Sequence, residues 1–327
     1  MELLLLGGTA FLGRQIALSA LADGHSVTCL ARGSAPPPEG VTFVPGDRDD
    51  DAADALAPVA GRRWDAVVDL TSQPGRARRA LRDLRADHWV FVSTANVYAG
   101  TTPAGHRETD ALTPALQAEV MAGPEDYGAA KVACEQLYAG SGTTATLVRS
   151  GLIGGAGDTS GRSGYWPWRF AHPVGDGSAV AVPDDPGFPC ALVDVRDIAS
   201  FVVTAARERL DGPYNVTGPT TPLSEVLATA AEVAGTAARP HPVPPARLAE
   251  LGVNPWMGPR SMPLWIDDPT MRGFGTMDTS RARAAGLVTR PLAETLRAAL
   301  AYEENREGER PTGLTDEEEH EVLAAVR

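Results

Sequence analysis

Tyr127 and Lys131 stand four residues apart in a stretch, 125–138, with helical spacing, so their side chains share one face about one turn apart. An ammonium held beside a phenol stabilises the phenolate, which suits the tyrosine to general acid or base work. Tyr-x-x-x-Lys also arises by chance on exposed helices, and its context gives this one weight. It follows a hydroxyl-rich strand end, Ser93-Thr94-Ala95-Asn96-Val97-Tyr98. At the start of the chain, the apolar run Leu3 to Leu6 breaks into Gly7-Gly8-Thr9-Ala10-Phe11-Leu12-Gly13, and Arg14 to Ala22 then has helical spacing. Strand, glycine-rich turn and helix in that order make a cradle for the pyrophosphate of a dinucleotide, because free N–H groups and the helix dipole favour negative charge there. Ala10 holds the middle place that usually carries glycine, which weakens the motif.

The elements that must position these residues alternate in type. Ser26 to Ala31 reads as a second strand, Val41 to Val44 as a third, Ala66 to Leu70 as a fourth interrupted only by Asp69, and His88 to Val92 as the next. Between the last two, Pro74 to Arg85 reads as a helix whose arginines make a solvated face. Repeated strand and helix specify an α/β fold, a Rossmann-type doubly wound parallel sheet over 1–150, followed by a smaller C-terminal substrate-binding lobe over 151–305. The segment 190–210 is expected to return to the Rossmann core, and 306–327 reads as a charged, solvated helical tail. The end of the second strand is where this fold reads the adenosine ribose. An acidic residue there would suit the 2′-hydroxyl of NAD; Arg32 and Ser34 suit the 2′-phosphate of NADP, unless Arg32 is a solvated loop arginine. Asp47, at the end of the third strand, reads either as an adenine contact or as a cap for the segment after Asp51.

Taken together, these segments resemble the extended short-chain dehydrogenase/reductase family, in its NAD-dependent epimerase/dehydratase branch. Gly7 to Gly13 is similar to that branch's cofactor turn, Ser93 to Tyr98 to its Ser-Ser-x-x-Val-Tyr strand end, and Tyr127 with Lys131 to its catalytic pair. Val193 to Ala199 resembles its later strand-to-helix junction, and Tyr214 to Gly218 the strand that follows. The resemblance implies that Tyr127 exchanges a proton with the substrate oxygen, that Lys131 binds the nicotinamide ribose and tunes Tyr127, and that Thr94 hydrogen-bonds the reacting oxygen, with Ser93 the nearest rival. It implies cofactor contacts from Gly7, Thr9, Ala10, Phe11, Leu12 and Gly13, from Arg32, Ser34 and Asp47, and from Leu70, Thr71 and Lys131. Asn96 and Tyr98 are expected to face the substrate.

Beyond Arg149-Ser150-Gly151 the pattern is less regular. Arg162, Tyr165, Trp166 and Arg169 read as a substrate-binding cluster, since aromatic rings beside guanidinium groups hold flat or anionic ligands; the alternative is an aromatic core under a loop. Sugar-nucleotide enzymes of the superfamily usually continue Arg-x-x-Asn-x-Tyr-Gly-Pro, and this chain has Arg149-Ser150-Gly151-Leu152-Ile153-Gly154-Gly155 instead. The segment 254–275, with Trp256 and Trp265, reads as a lid or as an ordered surface excursion.

A net charge of -13 disfavours nucleic acid and anionic membranes as partners. Cys29, Cys134 and Cys190 share no metal-ligand spacing and point to a reducing compartment; with a strand opening at residue 2 and no apolar run of spanning length, a cytoplasmic location is expected. His106, His172 and His241 lack ligand spacing, so no metal is expected. The sequence therefore predicts an oxidoreductase that prefers NADP, with NAD as the alternative, and reduces a carbonyl or oxidises an alcohol on a small molecule. A homodimer is a possible assembly. The rivals are a nucleotide-sugar epimerase or dehydratase that reduces its bound cofactor transiently, and a non-catalytic cofactor-binding regulator or RNA-binding protein.

Overall fold

The strand that opens the chain lies inside the central sheet, buried on both faces. The computed structural model describes residues 1–49, 54–101 and 104–326. The sheet comprises seven parallel strands: β1 (Glu2–Leu6), β2 (Ser26–Ala31), β3 (Thr42–Pro45), β4 (Ala66–Asp69), β5 (Trp89–Thr94), β6 (Ala145–Ser150) and β7 (Gly212–Val216). Their spatial order is 3-2-1-4-5-6-7, so the order reverses between β1 and β4, and a crevice opens outside the carboxyl ends of those strands. Successive side chains point to opposite faces of a strand. Leu3 and Leu5 accordingly join one core with Val27 and Val68, and Leu4 and Leu6 join another with Val67 and Phe91. The strands read as nearly continuous apolar runs for that reason.

The main helices are α1 (Phe11–Ala22), α2 (Pro74–Asp83), α3 (Tyr127–Ala139), α4 (Tyr165–Ala171), α5 (Val195–Glu208), α6 (Leu223–Ala234), α7 (Leu292–Glu304) and α8 (Asp316–Ala325). α1 packs on α5, and α2 packs on α3. The α5 residues Ile198, Val202 and Val203 share a core with Leu3 and Leu5. Asp69, the one polar break in β4, is fully buried. It accepts both ends of the Arg48 guanidinium at 2.8 Å, the Tyr138 hydroxyl at 2.6 Å and the Thr71 amide at 2.9 Å. Burial pushes its carboxyl pKa up, but the Arg48 charge and these bonds outweigh burial and hold it below its usual value. The cluster fixes the backbone at Leu70 and Thr71, at the mouth of the crevice.

A second core lies beyond the sheet, built from α4, α6, short strands and the C-terminal segment. The strand Pro189–Asp194 links the halves, pairing in parallel with Leu152–Gly154 and antiparallel with Thr220–Pro222. Here the structure corrects the solvated tail expected over 306–327. Leu314, Val322 and Leu323 are buried in this core, and Glu319 is fully buried. Four acidic residues in the first turn of α8 suggest a solvated helix, yet they favour the positive end of the helix dipole, and a Thr315/Glu318 capping box closes that end. The apolar side of α8 docks. Among the described residues no helix is long and apolar enough to cross a membrane.

Candidate active site

The turn after β1 depends on three glycines for three different reasons. Gly7 has φ +108°, in the left-handed region, and its amide donates to the Leu30 carbonyl at 2.9 Å. A Cβ on Gly8 would lie 2.4 Å from the Cys29 sulfur, and one on Gly13 would lie 2.2 Å from the Gly7 carbonyl oxygen. Gly13 thus lets α1 sit against the turn, Gly8 lets the turn sit against β2, and the extended Ala10 begins the helix without a side-chain cap. The first amides of α1 are therefore left for an anion. This cradle fits a dinucleotide pyrophosphate. The exposed Ala10 keeps its methyl group off the packed side of the turn.

Arg32 and Ser34 are exposed on the loop after β2. Asp47 is exposed after β3, and its carboxylate accepts the Asp49 amide at 3.0 Å. That bond makes a local turn within 47–49; residues 50–53, at the start of the segment Asp47 was expected to cap, lie outside the described residues. Leu70 lies under Gly7, and the Thr71 carbonyl accepts the Lys131 ammonium at 2.7 Å.

Thr94, Asn96 and Tyr127 line one cleft of about 510 Å³. β5 runs two residues further than its apolar run predicts, so Thr94 ends the strand and caps a short 3₁₀ turn, Ala95–Val97. Its hydroxyl donates to the Asn96 side-chain oxygen at 3.1 Å and accepts the Asn96 amide at 3.3 Å. Ser93, the rival, is buried away from the cleft, and its hydroxyl has no hydrogen-bond partner among the described residues. The Lys131 ammonium is buried, donates to the carbonyls of Thr71 and Val92 at 2.7 Å each, and lies 5.8 Å from the centre of the Tyr127 ring. Gly128 is a residue the sequence reading missed. A Cβ there would fall 2.3 Å from the Asn96 carbonyl oxygen, so glycine lets α3 approach the Thr94 turn closely enough to bring Tyr127 and Thr94 to the same cleft.

Of the four residues expected to bind substrate from 162–169, only Arg162 lines the cleft. Tyr165, Trp166 and Arg169 are fully buried in the second core, which corrects that expectation. Arg169 bonds Asp316 and the Leu314 carbonyl, each at 2.8 Å, and the Trp166 indole donates to the Pro263 carbonyl. The cluster is a brace between α4 and the C-terminal segment. Tyr98 is also buried: its hydroxyl donates to Asn215 and accepts from Arg149, whose guanidinium pairs with Glu135. It leaves only Asn96 of the expected pair facing the cleft.

The opposite wall comes from 254–275, through Trp256, Met257, Leu264 and Phe274. The segment reads from sequence as a lid or an ordered surface excursion, and its apolar residues follow no regular period because the backbone there is irregular, with Trp256 and Leu264 at φ of 72° and 66°. Cys190 also lines the cleft, with burial pushing its thiol up to about 12, which leaves it unionised and unsuited to nucleophilic work. Among the described residues no group of three or more His, Cys, Asp or Glu assembles as metal ligands.

The chain and its fold have known counterparts. A model of the NAD dependent epimerase/dehydratase family matches residues 3–217. The chain belongs to that family. In this epimerase/dehydratase family member the matched residues include the glycine cradle, Thr94, Tyr127 and Lys131. Among curated proteins it is similar to the chloroplast stem-loop binding protein of 41 kDa b of Arabidopsis thaliana, at 23% identity over 72% of this chain; the match spans 63% of that relative. Among solved structures it is similar to the Bordetella bronchiseptica enzyme WbmH in complex with NAD+, with TM-score 0.67 and 20% identity over 93% of this chain and 99% of that one. The Thermus thermophilus UDP-glucose 4-epimerase complex with NAD gives TM-score 0.64 and 22% identity, over 93% and 99%. At these identities the likeness to the solved structures concerns the fold.

Proposed function

We propose that this family member is an NADP(H)-preferring oxidoreductase that reduces a carbonyl, or oxidises an alcohol, on a small molecule. The observation that carries the reading is the convergence of Thr94 and Tyr127 on one cleft with the Lys131 ammonium beside the Tyr127 ring. In the direction of reduction, the Tyr127 hydroxyl gives its proton to the carbonyl oxygen as that oxygen gains charge. Thr94 turns its hydroxyl proton from Asn96 to the same oxygen and so helps to place it. Lys131, held by two carbonyls, keeps a positive charge beside the phenolate that Tyr127 becomes. Oxidation reverses these transfers. Gly7, Gly8, Gly13 and the start of α1 would hold the dinucleotide, Arg32 and Ser34 its 2′-phosphate, and the nicotinamide would supply or take up the hydride.

A second reading, a nucleotide-sugar epimerase that returns the hydride to its own substrate, is favoured by the Thermus neighbour, which is named as a UDP-glucose 4-epimerase complex with NAD. The name of the Arabidopsis relative refers to stem-loop binding, which a net charge of -13 opposes in this chain. The test uses purified protein, assayed first for retained cofactor and then for NADPH absorbance against a panel of carbonyl compounds. Stoichiometric NADPH loss with a released alcohol is expected. Interconversion of a UDP-sugar without net NADPH loss would overturn the reading in favour of the epimerase.

A further inference from the structure

The cleft contains one arginine whose situation differs from that of the buried arginines elsewhere in the molecule. Arg48 pairs with Asp69, Arg149 with Glu135, Arg169 with Asp316 and Arg306 with Glu303. Arg162 has no carboxylate within ion-pair distance among the described residues. Its Nε donates to the Ser160 hydroxyl at 3.1 Å, which aims the group, while no hydrogen bond from its terminal nitrogens is formed among the described residues. Asp158, on the same loop, attracts it but is already committed: one oxygen accepts the Ser160 amide and hydroxyl, and the other the Ser163 amide and hydroxyl. Burial works against the Arg162 charge, yet a guanidinium stays protonated in proteins. A cation in this position calls for an anion from outside the chain.

Two neighbours define what that anion is attached to. The Arg162 guanidinium carbon lies 5.1 Å from the centre of the Trp256 ring, and Phe274 meets the same indole edge-on at 5.4 Å. Trp256 takes φ 72°, a backbone conformation that a bulky residue adopts at a cost and that recurs at ligand sites. Phe188, Leu192, Met257 and Leu264 extend the apolar side of the cleft, while Asn96, Ser150, Thr159 and Ser160 supply polar groups elsewhere in its lining. The apolar side suits the body of a small apolar molecule, with the guanidinium at its edge for one anionic end.

We infer that Arg162, stacked on Trp256, is the specificity-determining residue of the cleft, and that the substrate is a small oxyacid with an apolar body whose reacting carbon–oxygen bond sits at Thr94 and Tyr127. The inference rests on the oxidoreductase reading for the reacting end alone. The anionic end is testable without turnover, using benzoylformate and its methyl ester as a matched charged and neutral pair. In calorimetric titrations of the NADP-loaded protein, benzoylformate should bind at least about tenfold more tightly than the ester, as a charge-assisted hydrogen bond in a shielded site would give. Arg162→Met should abolish that preference, and Arg162→Lys should keep part of it, because lysine supplies the charge without the fork. Trp256→Leu should weaken both probes, since it removes the wall. Circular dichroism and NADP affinity should match the wild type in all three variants, which separates a lost site from a lost fold. Equal binding of acid and ester by the wild type, or a preference that survives Arg162→Met, would overturn the inference. Arg162-dependent binding of UDP tighter than that of the acid would overturn the substrate class. NADPH oxidation with the same pair separates the two readings: a binding preference without hydride transfer counts against the oxidoreductase and supports the anion site, whereas transfer to both probes alike, without a charge preference, counts against the anion site.

Discussion

The two halves of the molecule store their function in different ways. In the sheet half, the candidate site is built from backbone: the close approach of Gly13 to Gly7, the uncapped start of α1 and the carbonyls of Thr71 and Val92 that hold Lys131. These parts lie at the ends of regular elements, so their positions follow from strand and helix spacing. In the other half the cleft is built from side chains on irregular segments far apart in sequence, Arg162 on one and Trp256 and Phe274 on another. A dense patch of tryptophan, tyrosine and arginine at 165–169 looks like a ligand site and is a structural brace. Chemistry placed by backbone geometry is readable locally, and chemistry placed by tertiary packing is not.

That contrast can be broken by experiment. The largest effect expected is on Tyr127→Phe, which should lower kcat by about 10²–10⁴-fold with folding intact; turnover within about tenfold of wild type would remove its acid–base role. Arg169→Met should leave cofactor affinity unchanged while lowering stability by about 3–5 kcal/mol, because it takes the cation away from the fully buried Glu319, the other partner, Asp316, being exposed. Denaturant unfolding reads the second quantity, and a change in substrate or cofactor binding with normal stability would return Arg169 to the site. Arg32→Ala should weaken NADP by about tenfold, on the order of 1–2 kcal/mol, with NAD unaffected, as expected for one charge-assisted contact on an exposed loop. Equal losses in the two titrations would detach Arg32 from the 2′-phosphate.

The smallest effect concerns acid. His88, buried at the base of the sheet, bonds the hydroxyls of Thr144 and Thr146 at 2.9 Å each. Thr146 donates its own proton to the Leu210 carbonyl, so it accepts from His88 Nε2–H, and Nδ1 is left to accept from Thr144. Burial pushes the imidazole pKa down from 6.5 to about 4. The unfolded chain therefore takes up a proton near pH 6.5 that the folded chain refuses until about pH 4. Stability from this group is complete above pH 6.5 and is lost progressively toward pH 4. Melting temperatures of wild type and His88→Gln across that range should converge as the pH falls; parallel curves would exclude His88 from the acid response.

The sequence carried the sheet almost entirely. Apolar runs separated by turns and helical spacing suffice to order β1 to β5, and Tyr127 and Lys131 fall on one helix face as their spacing requires. Three things were not legible. Gly128 does nothing recognisable as a motif, since its role is the absence of a side chain near the Asn96 carbonyl. Tyr98 looks like a cleft residue from its neighbours, but Arg149 and Asn215 enclose it from elements far along the chain, and His106 stacks on its ring. The charged stretch after residue 305 reads as solvated because acidic residues outnumber apolar ones, although Leu314, Val322 and Leu323 are enough to seat it.

The seating of α8 has a consequence for synthesis. Every strand of the central sheet is complete by Val216, so that half can form while translation continues. The second core cannot. Trp166 and Phe170 remain uncovered, and Arg169 remains without Asp316, until residues 314–323 have left the ribosome. The nascent lobe therefore exposes its most aromatic surface for the longest time, and a bulky fusion placed against α8 would prolong that exposure.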